Sequence, residues 1–256
     1  MTAAAAAATG TRPRRPGLGH ALAGRLAAAE YTRCVAQLRS LAPADWERPT
    51  ACPAWDVHAM ACHVLGMAEF AASPLEQARQ FLAARRAGGL FLDALTGLQV
   101  AKHRHRSPAE IVERLAATGP RAARRRARMP RLVRQVRLRE QPVDDTGAST
   151  EDWALGFLTD VILTRDPWLH RSDIAAATGR ALTLTADHDG ILVADAAAEW
   201  AQRHGQPCAL ILTGPAGGRW EWGAGGPGYE LDAIEFCRAV SGRGAGDGLL
   251  ATRVPF

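Results

Sequence analysis

The stretch "TRDPWLHRSDI", Thr164 to Ile174, sets an acid and a histidine four residues apart, and "CPAWDVHAMACHVLGM", Cys52 to Met67, threads His63 into a second apolar pattern. Four residues of α-helix turn through about 400°, so Asp166 and His170 would lie about 40° apart on one face, one turn from each other. Leu163, Ile174 and Ala177 belong to that face, and His63 shares its flank with Met60, Met67 and Phe70. A carboxylate and imidazoles aimed into an apolar core must be hydrogen-bonded, paired or bound to a metal, because an unpaired buried charge is costly. Two histidines and one carboxylate from two helices make a catalytic zinc set, with a fourth position left for water or a thiol.

Other readings of the same residues stand beside this one. Asp-Pro is also how a helix starts, with Asp as N-cap and Pro at the first helical position, and Asp166 would then bond its own backbone amides and bind nothing. His58 and Cys62, four apart, form a rival ligand pair. His63 lies five residues from His58, about 140° round the helix, so those two histidines do not easily share a site. Cys52, just before a proline in a turn leading into a helix, reads as a small buried residue rather than a nucleophile. "TGPAGG", Thr213 to Gly218, lacks the Lys-Ser/Thr of a phosphate loop and reads as a hairpin turn.

The elements that must position these groups follow from periodicity and caps. Apolar residues at helical spacing run from Ala21 to Leu41 and stop at Pro43. Asp56 is the natural N-cap of a second helix, with Val57, Met60, Ala61, Val64, Leu65 and Ala68 as its stripe. "SPLE" at Ser73 and "SPAE" at Ser107 each supply Ser at N-cap, Pro at N1 and Glu at N3, and each predicts a capping-box helix. The first should falter at Gly88-Gly89, and the second should run into an arginine segment that Pro130 interrupts. After a polar loop, "QPVDDTGAST", one long apolar pattern covers Trp153 to Ala177. To that point the chain reads as all helix, enough for a four-helix bundle. Beyond Gly179 come a helix closed by Gly205, strands "CALILTG" and "GRWEWG", and a final helix "LDAIEFCRAVSG". The division expected is a disordered leader over 1–20, a helical bundle over 21–179 and a small α/β domain over 180–256.

Composition narrows the class. The 256 residues can bury a sizeable core, and the net charge is +5. Nine arginines and one glutamate between Arg121 and Glu140 supply +8, which leaves −3 for the rest. That segment reads as a solvated basic helix and loop, as a rim gathering anionic substrate or thiol cofactor, or as a nucleic-acid surface. It has no aromatic residue, which argues against the last. Five scattered cysteines without a C-x-x-C pair indicate neither a disulfide framework nor a zinc finger and suit a reducing, cytoplasmic compartment. No secretory pattern and no membrane span is legible.

"ERPTACPAWDVHAMACHVLGM", followed about a hundred residues later by "TDVILTRDPWLHRSDIAAATGR", resembles the mycothiol-dependent maleylpyruvate isomerase family, and "FCRAVSGRGAGDGLLATRVPF" is similar to the end of that family's small C-terminal domain. The resemblance implies an α+β protein, a DinB-like four-helix bundle with a small C-terminal α/β domain. It implies a divalent metal, usually zinc, on a histidine of the first motif and an E-x-x-x-H pair of the second. Those positions fall at His63, Asp166 and His170, with Asp where the family has Glu. It further implies mycothiol or a similar small thiol as cofactor, held as thiolate, and an isomerase or S-transferase acting on a small anionic substrate, with no nucleic acid, no membrane and a homodimer as the expected assembly. Arg238 and Arg243 are candidates for a substrate carboxylate by the same analogy. The competing class is a non-catalytic, metal-stabilised bundle with an interaction or regulatory role.

Overall fold

The computed structural model describes residues 12–144, 147 and 149–256. Four helices form the bundle: α1 (His20–Arg39), α2 (Val57–Ala72), α5 (Pro108–Ala127) and α7 (Leu163–Thr178). Both α1 and α2 pack on α5 and on α7, which closes the ring. A helical hairpin, α3 (Pro74–Ala87) and α4 (Phe91–His103), lies against the outer side of α2. The bundle core runs through Leu38, Met60, Leu65, Ile111, Leu115, Leu163 and Ile174.

The caps act as their residue types dictate, with one divergence. Asp56 accepts from the Ala59 amide at 2.7 Å and starts α2. Ser107 and Glu110 complete the expected capping box of α5. In α3, Ser73 caps the Glu76 amide, but the Glu76 carboxylate turns away to Lys102 and Gln80, so only half of that box forms. Helix α4 was not expected. It follows the Gly88-Gly89 break, where both glycines have positive φ, and begins at Leu90 without a side-chain cap.

The expectation of helix throughout residues 21–179 needs correction at a hairpin. Strands β1 (Arg137–Pro142) and β2 (Thr150–Ala154) pair antiparallel, so the tail of the arginine segment and the start of the Trp153 pattern are extended. Of the leader expected over 1–20, residues 1–11 lie outside the described residues. Arg14 bonds both its backbone groups to β2, at Asp152 O and the Ala154 amide, and pairs with Glu151, which ties down this end of the chain.

Helix α7 is reached through a short α6 (Leu155–Phe157) and a π-helical turn, Leu158–Ile162, and it continues through Pro167. Pro167 has no N–H for the carbonyl of Leu163. The buried guanidinium of Arg126 on α5 takes that carbonyl at 2.8 Å and Thr159 O, in the π turn, at 2.6 Å, and bonds the Thr164 hydroxyl as well.

After α7 ends at a left-handed Gly179, α8 (Asp189–His204) and α9 (Ala233–Ser241) pack on a three-stranded sheet of order β4-β3-β5. Strand β3 (Cys208–Thr213) is antiparallel to β4 (Gly218–Trp222) and parallel to β5 (Gly228–Asp232). "TGPAGG" is the β3–β4 hairpin turn, as read. This second core is not self-contained: Leu26 of α1 and Trp168 and Leu169 of α7 pack into it with Trp200, Leu210 and Phe236. Among the described residues no helix is long and apolar enough to cross a membrane.

Candidate metal centre

The cap at Asp56 sets the phase of α2, and that phase turns His63 inward two turns later. On α7, the unbroken helix through Pro167 does the same for Asp166 and His170. Asp166 is therefore no helix start: its Oδ1 lies 3.3 Å from His63 Nε2 and 3.4 Å from His170 Nε2. These ligand-capable atoms all fall within 4.8 Å of one another, and the two imidazole centroids are 5.2 Å apart. The other carboxylate oxygen, Asp166 Oδ2, is buried and has no hydrogen-bond partner among the described residues.

Each imidazole is held from behind by its other nitrogen. His63 Nδ1 is 2.8 Å from the amide oxygen of Gln99, and His170 Nδ1 is 3.2 Å from Asp173 Oδ2. A carboxylate only accepts, so His170 donates from Nδ1 to Asp173, which leaves Nε2, on the Asp166 side, as the nitrogen a metal would take once its proton is lost. Trp55, in the tight Thr50–Trp55 turn that precedes α2, lays its ring against His63 at 4.9 Å and His170 at 6.0 Å. None of Gln99, Asp173 and Trp55 was singled out from the sequence. The i, i+3 spacing of His170 and Asp173 and the position of Trp55 beside the cap are the signals that could have found two of them.

The electrostatics follow from this packing. Burial alone would raise the Asp166 carboxyl, but the two imidazoles outweigh it and hold the group well below the usual carboxylate range. Burial likewise favours neutral His170, yet Asp166 and Asp173 raise it to about 9. Asp173 is lowered, because His170 and Arg243 overcome its burial. An orphaned carboxylate oxygen, two imidazole nitrogens backed by hydrogen-bond acceptors and one further carboxylate oxygen fit a divalent metal, with a nitrogen and oxygen donor set of the zinc type.

Arg238 and Arg243 reach this centre from α9 and the loop after it, and both meet Asp173, at 3.4 and 2.9 Å. Cys52 also approaches: with His170 and Asp173 it forms a second group of ligand-capable atoms within 4.8 Å. The rival pair His58 and Cys62 does not assemble. His58 Nε2 is taken up at Arg106 O, and burial pushes the Cys62 thiol up to about 12. The arginine segment divides by role. Arg126 closes the α7 carbonyls and Arg134 pairs with Asp160, while Arg121, Arg124, Arg125 and Arg128 line an open surface groove of about 470 Å³ with Met129, Pro130 and Val133.

Fold and centre together define a class: an α+β protein whose helical bundle gathers one carboxylate and two imidazoles beside a small α/β unit. The family follows from the sequence. The model of the mycothiol maleylpyruvate isomerase N-terminal domain matches residues 25–175, and the chain belongs to that family of enzymes. Two solved structures share the fold. The crystal structure of the mycothiol-dependent maleylpyruvate isomerase is 16% identical with a TM-score of 0.56, over 90% of this chain and 92% of that one. That of a histidine-to-alanine mutant of mycothiol-dependent maleylpyruvate isomerase is 15% identical with a TM-score of 0.56, over 89% and 91%. Comparison with curated proteins returned no match.

Proposed function

We propose that this protein is a metal- and thiol-dependent isomerase or S-transferase for a small anionic electrophile, with mycothiol or a similar low-molecular-weight thiol as its cofactor. The observation that carries the reading is the convergence of Asp166 Oδ1, His63 Nε2 and His170 Nε2 beside an unpartnered Asp166 Oδ2. His63, Asp166 and His170 would hold the metal, which we take to be zinc. When bound, such a metal supplies a Lewis-acid position that keeps a small thiol ionised near neutral pH.

The remaining roles belong to the chain's own residues. Trp55 walls one side of both imidazoles and keeps water from their faces. Asp173 fixes the ring of His170 and is itself fixed by Arg243 and Arg238, whose charge lies where a substrate carboxylate would be drawn. The buried thiols are poor nucleophiles: burial pushes Cys34, Cys62 and Cys237 up to about 12. Cys52 is half-buried beside His170 and Asp173, and an external thiol as nucleophile predicts that turnover survives Cys52→Ser.

The test is metal content and thiol-dependent turnover of a cis-enoyl pyruvate in the purified protein and in three variants. His63→Ala and His170→Ala should lose most of the metal and the turnover while staying folded. Asp166→Asn, which keeps the volume but not the charge, should weaken metal binding. Wild-type metal levels in either alanine variant would sink the centre. Metal bound at these residues with no thiol-dependent reaction would favour the non-catalytic class.

A further inference from the structure

Two glutamines lie side by side in the layer between α2, α3 and α4, Gln80 5% exposed and Gln99 1% exposed. A buried amide is costly unless both its ends are paired, and here all of them are. The pairing also has a direction. Gln80 Nε2 is 3.2 Å from the backbone carbonyl of Gly66 and 3.0 Å from a Glu76 carboxylate oxygen, and neither of those groups can donate. The Gln80 amide nitrogen must therefore face them, which leaves Gln80 Oε1 toward Gln99. Gln99 Nε2 donates to it at 2.9 Å and to Met67 Sδ at 3.0 Å. Gln99 Oε1 is then the atom left for His63 Nδ1, at 2.8 Å. An amide oxygen accepts, so His63 Nδ1 carries a hydrogen, and Nε2, facing Asp166, is the nitrogen left for a metal.

The close approach that makes this relay is built into α2. A Cβ on Gly66 would fall 2.5 Å from the Gln99 Cβ, so a glycine is required where α4 crosses. At its outer end, Lys102 clamps Glu76 at 2.6 Å and Glu69 at 2.5 Å.

We propose that Gln99 is a positioning residue for the metal centre, fixing the tautomer of His63 through a one-way amide relay that starts at Gly66 O and Glu76. The proposal rests on the reading of His63, Asp166 and His170 as metal ligands. Without the relay the imidazole is free to turn or to place its hydrogen on Nε2, against the metal. Its counterpart on the other ligand is Asp173, but that group is itself charged and held by arginines, whereas Gln99 is neutral and takes its polarity through Gln80 from the Gly66 carbonyl and the Glu76 carboxylate.

The experiment measures zinc affinity by competition with a chromophoric chelator in wild-type protein, Gln99→Met, Gln99→Glu and His63→Ala, with circular dichroism melts to establish folding. Gln99→Met removes the acceptor and should weaken zinc about 10- to 100-fold, the usual consequence of losing the partner behind a ligand histidine. Gln99→Glu breaks the link to Gln80 equally but keeps an acceptor toward Nδ1, and should stay within about threefold of wild type. A readout independent of any variant is the imidazole ¹⁵N pattern of His63 in zinc-loaded wild-type protein, where Nδ1 should be protonated and Nε2 metal-bound. Wild-type affinity in Gln99→Met, an equal loss in Gln99→Glu, or metal on Nδ1 would each overturn the proposal. If wild-type protein binds no zinc, or His63→Ala binds it as tightly, the reading of the centre fails and the relay's role falls with it.

Discussion

His170 shows how one side chain can be set against itself. Burial favours its neutral form, but carboxylates on both sides, Asp166 and Asp173, raise it to about 9. A metal ion needs the deprotonated ring, so in this protein it must displace a proton over most of the accessible pH range. Zinc affinity should therefore climb by about one decade per pH unit as pH rises toward 9 and level off above it. Asp166, held below the usual range, adds no step there. Chelator competition from pH 6 to 10 checks this, and a flat profile would remove His170 from the ligand set. The sign for stability runs the other way. A group raised on folding stabilises the metal-free protein fully below its unfolded value, about 6.5, and that contribution is lost as pH rises through about 9. Bound metal should abolish the loss.

At the scale of elements, the segment from the π turn into α7 is stabilised from outside. Its widened turn and Pro167 free carbonyls that an ordinary helix would satisfy internally, and one arginine from α5 gathers them. Arg126→Met keeps most of the apolar stem but leaves Thr159 O and Leu163 O buried without that donor. At about 1 to 3 kcal/mol for each orphaned group, less the relief from not burying a charge, the variant should lose about 2 to 4 kcal/mol in urea unfolding. The same change should weaken metal binding, because Asp166 lies one turn from Leu163. A loss under about 0.5 kcal/mol would mean that the helix finds other donors.

Across the whole molecule, α1 and α7 serve two cores, and buried ion pairs bind those helices to α8. Arg165 bonds Asp195 and Glu199 at 2.6 and 2.7 Å, and Arg171 bonds Glu30 and Asp189 at 2.6 and 3.0 Å. His188 joins Glu30 at 2.8 Å. Removing one partner of a buried pair strands the other. Arg165→Met should cost about 3 kcal/mol, because Asp195 loses this partner while Glu199 keeps Arg203. Since Leu26, Trp168 and Leu169 belong to the second core, calorimetry should show one shifted transition rather than two. A separate melting of the α/β unit would show that the shared helices do not couple the cores.

What the sequence determined by itself was local. Caps at Asp56, Ser73 and Ser107, the stops at Gly88, Gly179 and Gly205, and the helical period of the stripes act within a turn or two, and the four-helix bundle with its α/β unit is legible in them. So are His63, Asp166 and His170 as groups on apolar helix faces. The tertiary structure decided the rest. "SPLE" and "SPAE" are alike as sequence, yet Glu110 completes its box while Glu76 is drawn to Lys102, 26 residues on. The segment from Arg137 became a strand because β2, which also bonds Arg14, offered it a ladder. Helix α4 has no polar cap to announce it and is held by α2 and α3. Asp-Pro at 166 was consistent with a helix start until Arg126, 37 residues from Leu163, supplied the missing donor. Gln99 carries no local mark of its role, because a glutamine's polarity is set by whichever groups reach it. Here those groups are the carbonyl-anchored Gln80 and a histidine 36 residues away.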